Sequence, residues 1–332
     1  MSSETDQTAV DISLLVCTYN RCNDLRELLE TALAQDVGDL FNYEIVVVDN
    51  NSNDTTRQVV HSFIEAGHKN LRYFFEPRQG RSYALNLGLN QIRGWGYIIT
   101  DDDFILPPDW VRNIYEGFRD NPEMSFVSGK VLPLWQGEVP SWLDQRHWSA
   151  LAVVDYGEKP FVTDTENQIC QLACAFKVEA VKAVGGYHND LGVQGTRIGG
   201  TEDVDLLTRL WKSGRKGLYL PHIQFLHKMT RERLTKKYHR RWHKGHGRSY
   251  AIMRAEETEK GKLRFFGVPA YMYRQAVRDA LAYCKLTLTR RTDEAFWHEI
   301  QLRFFSGFWT KRCGDYFTQR RNASRFGSAE LT

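Results

Sequence analysis

Four apolar, β-branched runs alternate with three stretches of helical spacing before residue 103, and this alternation constrains the fold more than any other feature. The runs are Asp11–Cys17, Tyr43–Val48, Leu71–Phe75 and Gly96–Asp101. After the first, Leu25, Leu28, Leu29, Ala32 and Leu33 recur on one face of a 3.6-residue period, which predicts a helix over 24–35. Further helices are expected over 55–66, with Asp54 or Thr55 as N-cap, and from Arg81 through Leu89. Strands alternating with helices predict a parallel sheet with right-handed crossovers. The runs have no polar face, as strands covered on both sides require.

Polar residues gather after each run: Thr18-Tyr19-Asn20-Arg21, Asp49-Asn50, Gln79-Gly80-Arg81 and Asp101-Asp102-Asp103. Three adjacent carboxylates repel one another, and burying them unpartnered costs several kcal/mol each. They form either a solvated acidic loop or a compensated site. A hard divalent cation carrying a phosphate is the economical compensation at the carboxyl end of an open sheet. Alternation in an extended segment places Asp101 and Asp103 on one side and Asp102 on the other.

The remainder is less regular. A helix is expected from Trp110 to about Arg119 and a strand over 126–131, followed by a loop-rich, partly mobile stretch over 133–168. A strand over Gln171–Phe176 and a helix over Val178–Val184 precede the break Gly185-Gly186. A glycine-rich loop containing Arg197 then leads to Thr201-Glu202-Asp203, which starts a helix ending near Gly214. An extended stretch from Tyr219 reaches His227, and a helical tail occupies 254–325.

In this order the motifs resemble the family 2 glycosyltransferases, whose nucleotide-sugar-binding fold is called GT-A. The resemblance covers roughly residues 11–250. Cys17-Thr18-Tyr19-Asn20-Arg21 is similar to the family's first nucleotide-contacting loop, and Asp49 to its base-binding aspartate. The segment Gly80-Arg81-Ser82-Tyr83-Ala84-Leu85-Asn86 resembles the glycine-rich stretch near the nucleoside. Asp101-Asp102-Asp103 takes the DXD position, Glu202-Asp203 that of the acceptor-side ED motif, and His227 that of a histidine near metal and diphosphate. Tyr238-His239-Arg240-Arg241-Trp242 loosely resembles the Gln-x-x-Arg-Trp motif of processive members, without its glutamine.

The resemblance implies a mixed, mainly parallel α/β sheet flanked by helices. It implies a catalytic domain over 11–250, with a nucleotide half (11–103) and a sugar and acceptor half (104–250). A flexible segment 1–10 precedes it and a basic helical extension 251–332 follows. It further implies Mn2+ or Mg2+ on Asp103, Asp101 and His227. A UDP-, dTDP- or GDP-sugar would lie on Thr18, Tyr19, Asn20, Arg21, Asp49, Gly80, Arg81, Asn86, Asp101, Asp102 and Arg241. Asp203 is then the base that deprotonates an acceptor hydroxyl and Glu202 the acceptor orienter, with inversion at the sugar. Taken alone, both acids also suit a helix first turn. The acceptor implied is a saccharide or a lipid-linked one, in cell-surface polysaccharide or glycoconjugate synthesis.

Charge separates the chain into two regions. Residues 1–227 carry 20 Lys and Arg against 31 Asp and Glu, whereas 228–332 carry 24 against 10. The basic, aromatic tail is expected either to meet an anionic membrane surface or to pack on the catalytic domain. No nucleic-acid motif accompanies it, and no nucleic-acid partner is expected. No apolar run approaches the length of a membrane span, and Met1–Asp11 lacks the apolar core of a secretory signal. The cysteines show no metal-ligand spacing, so reduced thiols and a cytoplasmic location, peripheral on the membrane's cytoplasmic face, are expected. A sugar-nucleotide nucleotidyltransferase is the alternative enzyme, but the loop after the first strand has no glycine. A non-catalytic nucleotide-sugar-binding protein is the other alternative.

Overall fold

The computed structural model describes residues 9–164, 174–193, 198–255 and 263–326. Part of the expected strand at 171–176, part of the loop expected over 133–168, and Arg197 lie outside them. Strands β1 (Ile12–Thr18), β2 (Tyr43–Asp49), β3 (Leu71–Phe75) and β4 (Gly96–Asp101) are parallel and lie in the order 3-2-1-4. Helices α1 (Cys22–Leu33), α2 (Thr56–Glu65) and α3 (Arg81–Gln91) connect them. Alternate residues of each run feed opposite cores. Leu14, Val16, Ile45 and Val47 pack with Leu25, Leu28 and Leu29 of α1, while Leu15, Val46 and Val48 pack with Ala84, Leu85 and Leu89 of α3. This two-sided burial explains the continuous apolar reading.

Parallel register pairs Thr18 with Asp49 and Cys17 with Asp101, so three loaded strand ends share one edge. Asp54, and not Thr55, satisfies the open helix starts. Its carboxylate accepts the Cys22 N–H of α1 at 3.1 Å and the Thr56 N–H of α2 at 3.0 Å, whereas the Thr55 side chain caps nothing. These are amides that a first turn leaves without intrahelical partners.

Beyond β4 the sheet becomes mixed. The chain turns at Asp102-Asp103 into β5 (Phe104–Ile105), and α4 (Trp110–Asp120) leads to β6 (Phe126–Trp135), longer than its sequence predicts. The helical turn α5 (Trp148–Leu151) and strand β7 (Phe161–Thr163) occupy the stretch expected to be loop-rich. Strand β8 (Cys174–Lys177) inserts antiparallel between β4 and β6 and runs into α6 (Val178–Ala183). Helix α7 (Glu202–Lys212) precedes β9 (Gly217–Met229), which is parallel to β6. The full order is β3-β2-β1-β4-β8-β6-β9-β5, with β7 also on β9. Antiparallel pairing of β5 with β9 sets Phe104 opposite His227, which delivers that histidine to the aspartate turn.

Two compact units emerge. One comprises Met1–Gln136, Ala152–Gly195 and Glu202–Met229, and holds the whole nine-stranded sheet. The other comprises Gly137–Leu151, Thr196–Thr201 and Thr230–Thr332. In the second, α8 (Lys236–Met253) packs on the long helix Thr292–Phe326, and helix Ala270–Leu288 packs beside it. Gly247 and Gly307 allow the close approach, since a Cβ on either would fall within about 2 Å of a carbonyl oxygen on the other helix. The tail is not wholly helical. Arg264–Phe265 and Val268–Pro269 form a small hairpin turning at Phe266 and Gly267, both with positive φ.

Candidate active site

At the sheet's carboxyl edge the loops after β1 and β2 are stitched together. Asn20 adopts a left-handed conformation (φ 52°), donates its N–H to Ser52 Oγ at 2.9 Å and accepts the Asn53 N–H at 2.8 Å. Asp49 is buried and accepts the Ser52 N–H and the Tyr73 hydroxyl, both at 2.9 Å. Burial and the bond to Asp49 push the Tyr73 hydroxyl pKa up, so it remains a donor. Asn50 accepts the Gly80 N–H at 2.8 Å and donates to the Arg78 carbonyl at 2.7 Å. Gly80 has φ 146°, a backbone that side chains disfavour, so glycine opens α3 here. Tyr19 is exposed beside these loops. The Asn86 amide donates to the Tyr187 carbonyl at 2.8 Å and accepts the Tyr187 N–H at 2.9 Å.

Two arginines organise the acids. Arg81 donates to Asp101 at 2.9 Å, Glu202 at 2.8 Å and Asp203 at 3.2 Å. Burial alone would lower its pKa, but the three carboxylates hold it well above the ordinary value. Burial drives the Glu202 pKa up to about 7 against the pull of Arg81, with Asp203 adding repulsion. Asp203 is raised for the same first reason, again opposed by Arg81. Arg21 bridges the other two aspartates, reaching Asp102 at 3.0 Å and Asp103 at 2.8 Å. Asp102 also accepts the Thr18 hydroxyl at 2.8 Å, and burial raises its pKa to about 7 despite Arg21.

The triplet therefore divides differently from strand alternation. Asp102 and Asp103 converge on Arg21 while Asp101 joins the Glu202-Asp203 group. The reason is local: β4 stops at Asp101, and a turn does not alternate.

The model of the glycosyl transferase family 2 matches residues 13–182, just over half of the chain. The chain belongs to that family. Among relatives, a glucosyl-dolichyl phosphate glucuronosyltransferase from Haloferax volcanii is 24% identical over 221 residues, covering 66% of this chain and 69% of the relative. Among solved structures, the mannosyltransferase PcManGT from Pyrobaculum calidifontis, in complex with GDP-Man and Mn2+, superposes with a TM-score of 0.60 at 19% identity. That match covers 92% of this chain and 89% of PcManGT. Residues 1–349 of TarS from S. aureus give a TM-score of 0.52 at 15% identity over 93% and 92% of the two chains. The fold of this glycosyltransferase is thus GT-A, with a helical C-terminal region.

In the glycosyltransferase, Asp103 and His227 offer donor atoms that suit a divalent cation. Asp103 Oδ1 lies 3.3 Å from His227 Nε2, and both side chains are at most 3% exposed. Among the described residues neither ring nitrogen of His227 makes a well-formed hydrogen bond, while its ring stacks on Phe104 with centroids 4.5 Å apart. Among the described residues no group of three or more His, Cys, Asp or Glu is placed to hold a metal. Two protein donors with the remaining positions left to phosphate and water are a usual arrangement for Mg2+ or Mn2+ bound with a nucleotide.

Arg241 belongs to the second unit, where Glu232 lies 3.5 Å from it. Tyr73 is an edge residue outside the sequence motifs; its signal is a hydroxyl on a strand pattern that must find a partner. Among the described residues no helix is long and apolar enough to cross a membrane.

Proposed function

We propose that the glycosyltransferase moves a sugar from a nucleoside diphosphate sugar to the hydroxyl of a saccharide or lipid-linked saccharide, inverting the anomeric centre in one displacement. Asp203 accepts the hydroxyl proton as the acceptor oxygen bonds to the anomeric carbon and the bond to the diphosphate breaks. Glu202 orients the acceptor. The observation that carries this reading is the Arg81 clamp, which gathers the diphosphate-side Asp101 and the acceptor-side Glu202 and Asp203 within 3.2 Å of one guanidinium. Raised carboxylate pKa values support it, because a base is most effective when its pKa approaches the working pH.

Asp103 and His227, with Asp101 nearby, would hold Mn2+ or Mg2+. A bound cation supplies neutralisation of the charge on the departing diphosphate. Asp49 and the loop Thr18–Arg21 would take the nucleoside, with Asp49 suited to an imide N–H such as that of uracil or thymine. Gly80 and Asp102 would serve the same donor at the strand ends. The names of the relatives support the substrate classes: one acts on a dolichyl phosphate sugar, and another is seen with GDP-Man and Mn2+.

The test is Asp203→Asn, assayed with UDP-, dTDP- and GDP-sugars, Mn2+ and a glycolipid-containing acceptor extract. Release of nucleoside diphosphate should fall by roughly 10²–10⁴-fold, while a thermal shift with the nucleotide persists. Full turnover by Asp203→Asn would remove it from the role of base.

A further inference from the structure

Helix Ala270–Leu288 in the second unit turns apolar side chains outward. Val277, Leu281 and Leu288 are 59%, 68% and 84% exposed, and Cys284 between them is exposed too. Their spacing of four, three and four residues draws one stripe along the helix. Arg274, Arg278 and Lys285 run along one edge of it, all exposed and without an ion pair among the described residues. The single acid of this helix points the other way: Asp279 is buried and lies 2.8 Å from His298 Nδ1. At the helix start the hairpin adds exposed Phe265 and Phe266. An outward face that joins an apolar stripe to a cationic edge and carries no acid is the inverse of a solvated helix face.

We infer that this face docks on an anionic phospholipid membrane. The helix is 19 residues long but carries four charges, so it lies in the interface and does not span it. Arg274, Arg278 and Lys285 have stems long enough to reach lipid phosphates while Val277, Leu281 and Leu288 sit at the headgroup level. A second copy of the same face is a poorer occupant, because it offers no acid to meet these cations, whereas an anionic surface does. The inference goes beyond the catalytic reading and does not depend on it, since docking needs neither donor nor acceptor.

The experiment is flotation of the full chain with phosphatidylcholine vesicles, with and without phosphatidylglycerol, at low and high salt. The wild type should float only with the anionic vesicles and be released by salt. Arg274→Gln with Arg278→Gln should weaken partitioning on the order of 25-fold, from about fivefold per cation. Leu281→Asp with Leu288→Asp should abolish it. Every substituted side chain is exposed, so thermal melts of both variants should match the wild type. Three results would each overturn the inference: wild type that stays in the soluble fraction at low salt, variants that float like wild type, or equal flotation with phosphatidylcholine alone. Loss of a dimer in Leu281→Asp, with vesicles ignored by the wild type, would assign the face to a second copy instead. A chain that transfers sugar yet does not float defeats only this inference.

Discussion

The two units bury ionisable side chains by opposite means. The sheet unit buries charge and pairs it: Glu202, Asp203 and Asp101 surround Arg81, and Asp102 and Asp103 share Arg21. The helical unit pairs Asp279 with His298 but also buries a cluster of histidines that burial keeps neutral. His147 and His239 sit among Trp142 and Phe296, His243 lies beside His239 and Trp242, and His246 stacks on Trp242 with ring centroids 4.5 Å apart. Burial depresses the pKa of His243 to about 3 and of His239 and His246 to about 4. Desolvation costs either kind of group, but the paired carboxylates keep the charge and acceptor atoms that the proposed chemistry uses, whereas the neutral histidines among aromatic rings act as core.

The most severe way to break this contrast is to remove the counter-ion. Arg81→Leu leaves three carboxylates at a buried edge with no cation, and breaking such a pair on one side costs about 3–5 kcal/mol. Urea melts at pH 7 should show a loss of that size, with Arg81→Lys recovering part of it. A wild-type midpoint for Arg81→Leu would mean that the acids are already protonated, which would collapse the distinction between paired and neutral burial.

Acid and base should sharpen it, because the two units respond with opposite sign. The depressed histidines contribute stability above the unfolded value near 6.5, and that stability drains as pH falls from there through about 4 and 3. Glu202 and Asp102, raised to about 7, contribute below their unfolded values near 4 and lose the contribution as pH rises through 7. Hydrogen exchange corrected for intrinsic rates, compared at pH 5 and pH 8, should show α8 loosening in acid. The α3–β4 region should loosen in base. His243→Leu should flatten the acid response of α8 alone. The same direction of change in both regions would mean that the buried groups of one unit are charged in the opposite sense.

How much of this was legible follows from how local each signal is. Strands β1 to β4 declare themselves because burial on both faces forces an unbroken apolar run, and the loaded loops follow directly from their ends. The approach of His227 to Asp103 is set by the pairing of Phe104 with His227 across more than a hundred residues, and no local pattern encodes it. Alternation fails for the aspartates because the strand ends at Asp101, two residues before Asp103. The histidine core was invisible for a similar reason. His147 meets His239 and Phe296 only through packing of segments remote in sequence, and a stretch rich in Trp and charge has no period to follow.

The smallest expected effect concerns Asp54, where the sheet unit uses a carboxylate for structure alone. Both oxygens accept bonds from the starts of α1 and α2, so one side chain caps two helices. Those bonds to Thr56 and Cys22 outweigh its desolvation and hold the Asp54 carboxyl below the usual carboxylate range. Asp54→Asn keeps an acceptor and should cost little, whereas Asp54→Ala should cost about 1–2 kcal/mol, a cap's worth or slightly more. Denaturant midpoints measure the difference, and nucleotide binding tells whether the loops stitched by Asn20 and Ser52 move with it. Should Asp54→Ala impair nucleotide binding far beyond its stability cost, the acid belongs to the site as well. The line between structural and functional carboxylates in this unit would then have to be drawn on the far side of α2.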